Sequence, residues 1–331
     1  MGRQWVWVLT LVTLAGTTGS VFASPPAALT VETVKYKGWA DCIHISNGQV
    51  EIIATTVIGP RLIRFGFVGD ANEFHEFPSD AGQTGGNVWR SYGGHRLWHA
   101  PEASPRSYQP DNSPIQAVME GDSLHLTQPI EKATGIQKEM IVTMDRDSPH
   151  VRVLHRLTNR GLWPVTLAAW ALTVMETGGR AIIPLTHHGT KDNLLPNRAL
   201  VLWPYTDTED SRFTLSKQYV LVQQDPHASK AFKIGVTAYD GWAAYVRKGH
   251  LFLKRFAPDL GAVYPDYGAS AETYSANDFQ ELETVGPLRE LQPRQSVEHV
   301  EDWYLFQGVD AQDEAAINRT VLPYVQSTGM P

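Results

Sequence analysis

Residues His150 to Leu157 read HVRVLHRL, with Val151, Val153 and Leu157 at alternate positions and Arg152 and Arg156 between them. Side chains of an extended chain point alternately to opposite faces, so this spacing predicts a strand with one face buried and one wet. The same rhythm recurs at Val50–Ile53, Arg61–Phe65, Ser123–Leu126 and Leu251–Phe256. The runs are bounded by turn formers such as Asn47-Gly48, Glu120-Gly121-Asp122, Asn159-Arg160-Gly161 and Tyr239-Asp240-Gly241. Helical spacing is nearly absent; one short C-terminal helix is expected from Asp313 to about Val321, after an acidic start. Many short strands with almost no helices between them predict an all-β fold, a large antiparallel sandwich. No repeat of fixed period argues for a propeller or β-helix.

The N-terminus reads differently. Arg3 precedes an apolar run from Trp5 to Leu14, followed by small and polar residues ending Val21-Phe22-Ala23. A charged start, an apolar core of roughly ten residues and a small-x-small site are the marks of a secretory signal peptide. The expectation is a signal peptide over 1–23, cleaved after Ala23, and a single β-sandwich domain over 24–331 in the periplasm or secreted. A membrane-spanning helix needs about 20 apolar residues, and Gly16 to Ser20 interrupts the run too early. No later segment suits a span, so none is expected after cleavage.

Lys and Arg total 28 against 35 Asp and Glu, so the chain lacks the basic footprint of a nucleic-acid partner. The single cysteine, Cys42, has no partner for an internal disulfide. No P-loop, dinucleotide fingerprint or G-x-S-x-G elbow occurs, and no cofactor is expected. Neither H-E-x-x-H nor a Cys/His pattern makes a case for a metal. Aromatic residues reach 10%, with 10 Trp, 12 Tyr and 11 Phe. Many sit beside polar residues, as in sites where rings stack on the C–H faces of sugars while charged and amide groups bond the hydroxyls.

Two stretches break the strand rhythm and are expected to be functional loops: Gly82 to Asn112 and Asp259 to Pro287. The first holds GGHRLWHAPE (93–102), where His95 and His99 supply acid/base groups, Arg96 a planar set of donors and Trp98 a stacking face. The second ends in NDFQELET (277–284). If this segment is extended, Glu281 and Glu283 share a face, and two adjacent carboxylates raise at least one pKa, which suits a general base. His187-His188, with Asp192 nearby, is a third candidate for proton transfer, although neighbouring strand residues face opposite ways.

GGHRLWHAPE, the stretch Asn159 to Leu185 and the end QELETVGPLRELQPRQSVEHVEDWYLF together resemble a bacterial family of uncharacterised domains in the galactose mutarotase-like superfamily, over roughly Val31 to Gln307. The resemblance implies a β-supersandwich with a sugar-binding face and a carbohydrate substrate. It also implies chemistry of the aldose 1-epimerase kind, in which a glutamate takes the anomeric proton and a histidine protonates the ring oxygen. It makes Glu283 the base, modulated by Glu281, and His95 or His99 the acid, because Trp170 stands where the superfamily pattern carries its central histidine. Arg96, Trp98 and Trp170 then position the sugar, with Asp266, Tyr267 and Asn277 as further contacts. Two other expectations stay open: a lyase or hydrolase acting on an oligosaccharide, and a carbohydrate-binding protein without catalysis.

Overall fold

The computed structural model describes residues 1–2, 28–186, 189–192 and 194–331. Residues 3–23 of the expected leader, with its cleavage point, and the pair His187 and His188 lie outside the described residues. Within them, two antiparallel sheets of 11 and 10 strands carry the chain. The opening octapeptide lies in the strand His150–Asn159, where Val151, Val153, His155 and Leu157 are buried. Its neighbours in the second sheet are Ser296–Gln307 and Ile136–Met144. The centre of the first sheet runs Arg61–Phe67, His95–Ala100, Val165–Met175, Gln280–Val285, Ala271–Ser275 and Phe232–Val236.

The main apolar core draws on both sheets. Phe65 and Phe74 meet Phe252 and Trp303 with ring centroids 5.6 to 6.0 Å apart, mostly edge to face. That geometry suits the ring quadrupoles, and truncating one such ring costs about 3–5 kcal/mol. The helical tail forms as two short pieces, Glu314–Thr320 and Leu322–Ser327. Asp313 caps the first by accepting the Ala316 N–H at 2.7 Å, and Ile317, Val321 and Val325 pack on the outside of the second sheet. Among the described residues no helix is long and apolar enough to cross a membrane.

The two stretches expected to be irregular need correcting. The first contains the strand His95–Ala100, and the second contains Ala271–Ser275 and Gln280–Val285. Every residue of His95–Ala100 and of Gln280–Val285 is buried on both faces. A strand covered on both sides, with polar groups on each, shows no polar/apolar alternation to read. Gly93 and Gly94 admit the chain to this position at φ of 91° and 69°. A Cβ at either would lie 2.1 Å from the His75 carbonyl oxygen or 2.4 Å from that of Leu62.

Candidate functional site

Register decides which side chains of the first sheet meet. Arg96 pairs with Leu172, Leu172 with Glu283, and Glu283 with Glu272. In the next row Trp98 pairs with Trp170 and Trp170 with Val285. In a third, Glu281 stands between Val174 and Tyr274, and Tyr274 pairs with Lys233. These rows share the outer face of the sheet, away from the core, and form the base of a cleft of about 640 Å³. Trp89, Trp98, Trp170 and Trp203 supply its aromatic walls, with Tyr108 and Tyr205 above them.

Charge in the cleft is built as two stacked ion-pair groups. Arg96 lies 4.7 Å above the Trp98 ring and 5.6 Å from that of Trp89, and its Nη2 donates to Glu281 Oε1 at 2.7 Å. The other donors of that guanidinium, Nε and Nη1, are buried and have no protein partner, and the same holds for Trp89 Nε1. Lys233 sits between the Trp170 and Trp203 rings at 4.7 and 4.6 Å. Its Nζ lies 2.9 Å from Glu272 Oε2 and donates to Glu283 Oε2 at 3.2 Å, and Trp170 Nε1 donates to the same Glu283 oxygen at 2.8 Å.

Burial pushes Glu281 up from the usual carboxylate range, and the neighbouring Glu283 charge adds to this against the pull of Arg96. Burial also raises Glu272, to about 8, against the opposing effect of Lys233. Burial works against the Lys233 ammonium, but Glu272 and Glu283 outweigh it and hold its pKa well above the ordinary value.

The structure brings together Arg96, Trp98, Trp170, Glu281 and Glu283, five of the residues picked out in the sequence. Their depths differ. Glu281 lines the cleft, whereas Glu283 is fully buried behind Lys233 and Trp170. His95 and His99 do not join them: they alternate with Arg96 and Trp98, so their rings point to the opposite side of the sheet, between the two layers. Asp266 stands at the edge of the group, where burial raises its pKa and Lys233 and Glu272 act on it. Tyr267 and Asn277 are exposed and line other surface.

Lys233, Glu272, Trp203 and Glu102 had not been picked out. Lys233 interrupts Phe232–Val236, FKIGV, where a lone cation on one face of an apolar strand was the available signal. Glu102, at the end of the GGHRLWHAPE string, lines the cleft and accepts the Tyr108 hydroxyl.

On the inner face the histidines form a closed lattice. His155 Nδ1 lies 3.0 Å from the His299 carbonyl, which only accepts, so that nitrogen carries the proton. His155 Nε2 then accepts from His95 Nε2 at 2.7 Å, and His95 Nδ1 accepts the Thr173 hydroxyl at 2.7 Å. These are the tautomers of neutral rings, and burial holds both pKa values below the ordinary range. Glu301 takes Lys254 Nζ at 2.9 Å, the Thr284 hydroxyl at 2.6 Å and Trp303 Nε1 at 2.7 Å. Ligand atoms of His95, His155 and Glu301 lie within 4.8 Å of one another, but hydrogen bonds within the lattice already occupy both imidazole nitrogens of His95 and His155 and both oxygens of Glu301.

No protein-family model and no curated protein matches the sequence. Among solved structures the chain is similar to a candidate aldose 1-epimerase from Klebsiella pneumoniae, at 12% identity and a TM-score of 0.57, over 90% of this chain and 87% of that one. It is similar to a galactose mutarotase-like protein from Lactobacillus casei at 8% identity and a TM-score of 0.53, over 80% and 100%. A candidate mutarotase from Salmonella typhimurium matches at 10% identity and a TM-score of 0.52, over 84% and 94%. At such identities the likeness establishes architecture: this chain folds as a galactose mutarotase-like β-sandwich.

Proposed function

We propose that the protein acts on a carbohydrate in the tryptophan-walled cleft, by acid/base chemistry of the aldose 1-epimerase type, with Glu281 rather than Glu283 as the group that takes the proton. The observation that carries this reading is the set of buried, unpartnered donors, Arg96 Nε and Nη1 and Trp89 Nε1, among stacked aromatic rings. Leaving such donors unmade costs free energy. A sugar meets the need with hydroxyl and ring oxygens on its edges and apolar C–H faces for the rings. Glu281 faces the same space, and its raised pKa brings it nearer to working pH, where proton transfer is most effective. Names of the similar solved structures point the same way. The leader read in residues 1–23 belongs to this proposal and makes the protein periplasmic or secreted; N-terminal sequencing of the cell-derived protein checks it, and an intact Met1 overturns it.

In anomer exchange the base removes the anomeric hydroxyl proton while an acid protonates the ring oxygen, so the ring opens and recloses with no net change. Glu102 is the other carboxyl group lining the cleft and is assigned as the acid. NMR of anomer exchange and of cleavage products across a panel of mono- and oligosaccharides tests the reading. Glu281→Gln is expected to lower turnover by about 10²-fold or more while sugar still binds. Full turnover in that variant excludes Glu281, and new reducing ends indicate a lyase or hydrolase instead. A second reading, binding without turnover, is favoured by one observation: among the described residues no histidine lines the cleft. It predicts saturable sugar binding with unchanged anomer exchange in the wild-type protein.

A further inference from the structure

The strand His95–Ala100 presents a second cavity on its inner face, at the end of the gap between the sheets. This space of about 380 Å³ is lined by His99, Arg106 and Thr134 and by the apolar side chains of Ile136, Val165 and Leu167. His99 Nε2 lies 3.3 Å from Glu131 Oε2, and a carboxylate only accepts, so that nitrogen carries the proton. Glu131 is held ionised: burial opposes its charge, but Lys138 Nζ at 2.6 Å, His99 and the Thr134 hydroxyl at 2.6 Å outweigh this and bring its pKa to about 2. The ring of His99 is itself kept neutral by burial. Its Nδ1 is therefore a bare lone pair, and this atom is buried with no partner.

Arg106 is the complementary half. Its Nη2 donates to the Pro101 carbonyl, its Nε is buried without a partner, and among the described residues no carboxylate pairs with it. Lys138 already neutralises Glu131, so the guanidinium leaves the cavity with one uncompensated positive charge. The chain thus encloses one orphaned acceptor, one orphaned cationic donor and an apolar floor, and nothing of the protein satisfies the first two.

We propose that this cavity binds a small hydroxy acid: the carboxylate on Arg106, the adjacent hydroxyl donating to His99 Nδ1, and an apolar body against Ile136, Val165 and Leu167. The site lies on the opposite face of the sheet from the tryptophan cleft and does not depend on what the cleft does. Charge-assisted pairing and an acceptor that rejects molecules lacking a hydroxyl supply the selectivity.

Isothermal titration of the full chain with mandelate tests this, with phenylacetate as the analogue lacking the hydroxyl and methyl mandelate as the analogue lacking the charge. Mandelate is expected to bind saturably, phenylacetate about fivefold or more weaker, and the ester and Arg106→Gln each at least about tenfold weaker. Arg106 is only partly buried, so the variant is expected to keep the fold, and its unfolding temperature checks this. A ¹⁵N shift of His99 Nδ1 on adding mandelate, absent with phenylacetate, locates the hydroxyl. Absence of saturable mandelate binding, equal affinity for the ester, or undiminished binding by Arg106→Gln overturns the proposal.

Discussion

Along the strand Gln280–Val285, Glu281 and Glu283 point outward into the cleft layer while Gln280, Leu282 and Thr284 point inward, and the two sides handle polarity in opposite ways. Outside, Glu281 and Glu272 are pushed up by burial, and Arg96 keeps two donors without partners. Inside, Glu301 is pulled down, since Lys254 and the neighbouring histidines outweigh the burial that would raise it. Around Glu301 the inner groups saturate one another through Thr284, Lys254 and Trp303. Density of charged groups does not separate a site from a core here; incompleteness does. A saturated network holds two sheets together, whereas an unsaturated one waits for a ligand.

The strongest way to break this comparison is Glu301→Ala, which strands the fully buried Lys254 ammonium. Urea unfolding is expected to show a loss of about 3–5 kcal/mol; a loss under about 1 kcal/mol would mean that the inner network is not structural.

The pH dependence of stability sharpens the contrast because the two faces have opposite signs. Burial lowers His299 from 6.5 to about 4, so as pH falls through that window the unfolded chain binds a proton that the native state does not. Stability contributed above pH 6.5 is then lost, on the order of 3 kcal/mol by pH 4. Burial raises Glu272 from 4.5 to about 8, so the native state keeps a proton that the unfolded chain releases. The stability this gives at acid pH is lost as pH rises from 4.5 to 8. Urea midpoints measured across pH should lose their acid limb in His299→Gln and flatten on the alkaline side in Glu272→Gln; unchanged profiles would remove the asymmetry.

Trp98→Ala removes a wall of the cleft together with the platform under Arg96, and sugar affinity is expected to fall about tenfold by titration. The smallest effects are expected from Asn277→Ala and Tyr267→Ala, which change stability by under about 0.5 kcal/mol and affinity by less than a factor of two. A large loss of binding in either would extend the site beyond the cleft.

Much of the second sheet was legible in the sequence, because strands such as His150–Asn159 alternate between covered and open faces. The centre of the first sheet was not, since His95–Ala100 and Gln280–Val285 are covered on both sides and read as aromatic, charged loops. The residue types and spacing in the sequence did single out Arg96, Trp98, Glu281 and Glu283, and the family resemblance singled out Trp170. What they missed was parity. With a period of two, accepting Arg96 and Trp98 as cleft residues forces His95 and His99 to the other side. Lys233 escaped because it is a lone charge in the apolar strand Phe232–Val236, and Glu272 because it is the one charge in the short, mostly polar strand Ala271–Ser275; only pairing across strands reveals the partner of each.

Trp89, Trp98 and Trp170 follow one another at ring-centroid distances of 5.4 Å, steeply inclined, with the Lys233 ammonium over the last and over Trp203. Indoles this close behave as one coupled chromophore. The cleft therefore carries its own optical label: an exciton couplet in circular dichroism and an emission band tuned by a fixed positive charge. A molecule that slides between those rings announces itself without dye or tag, whatever its chemical identity.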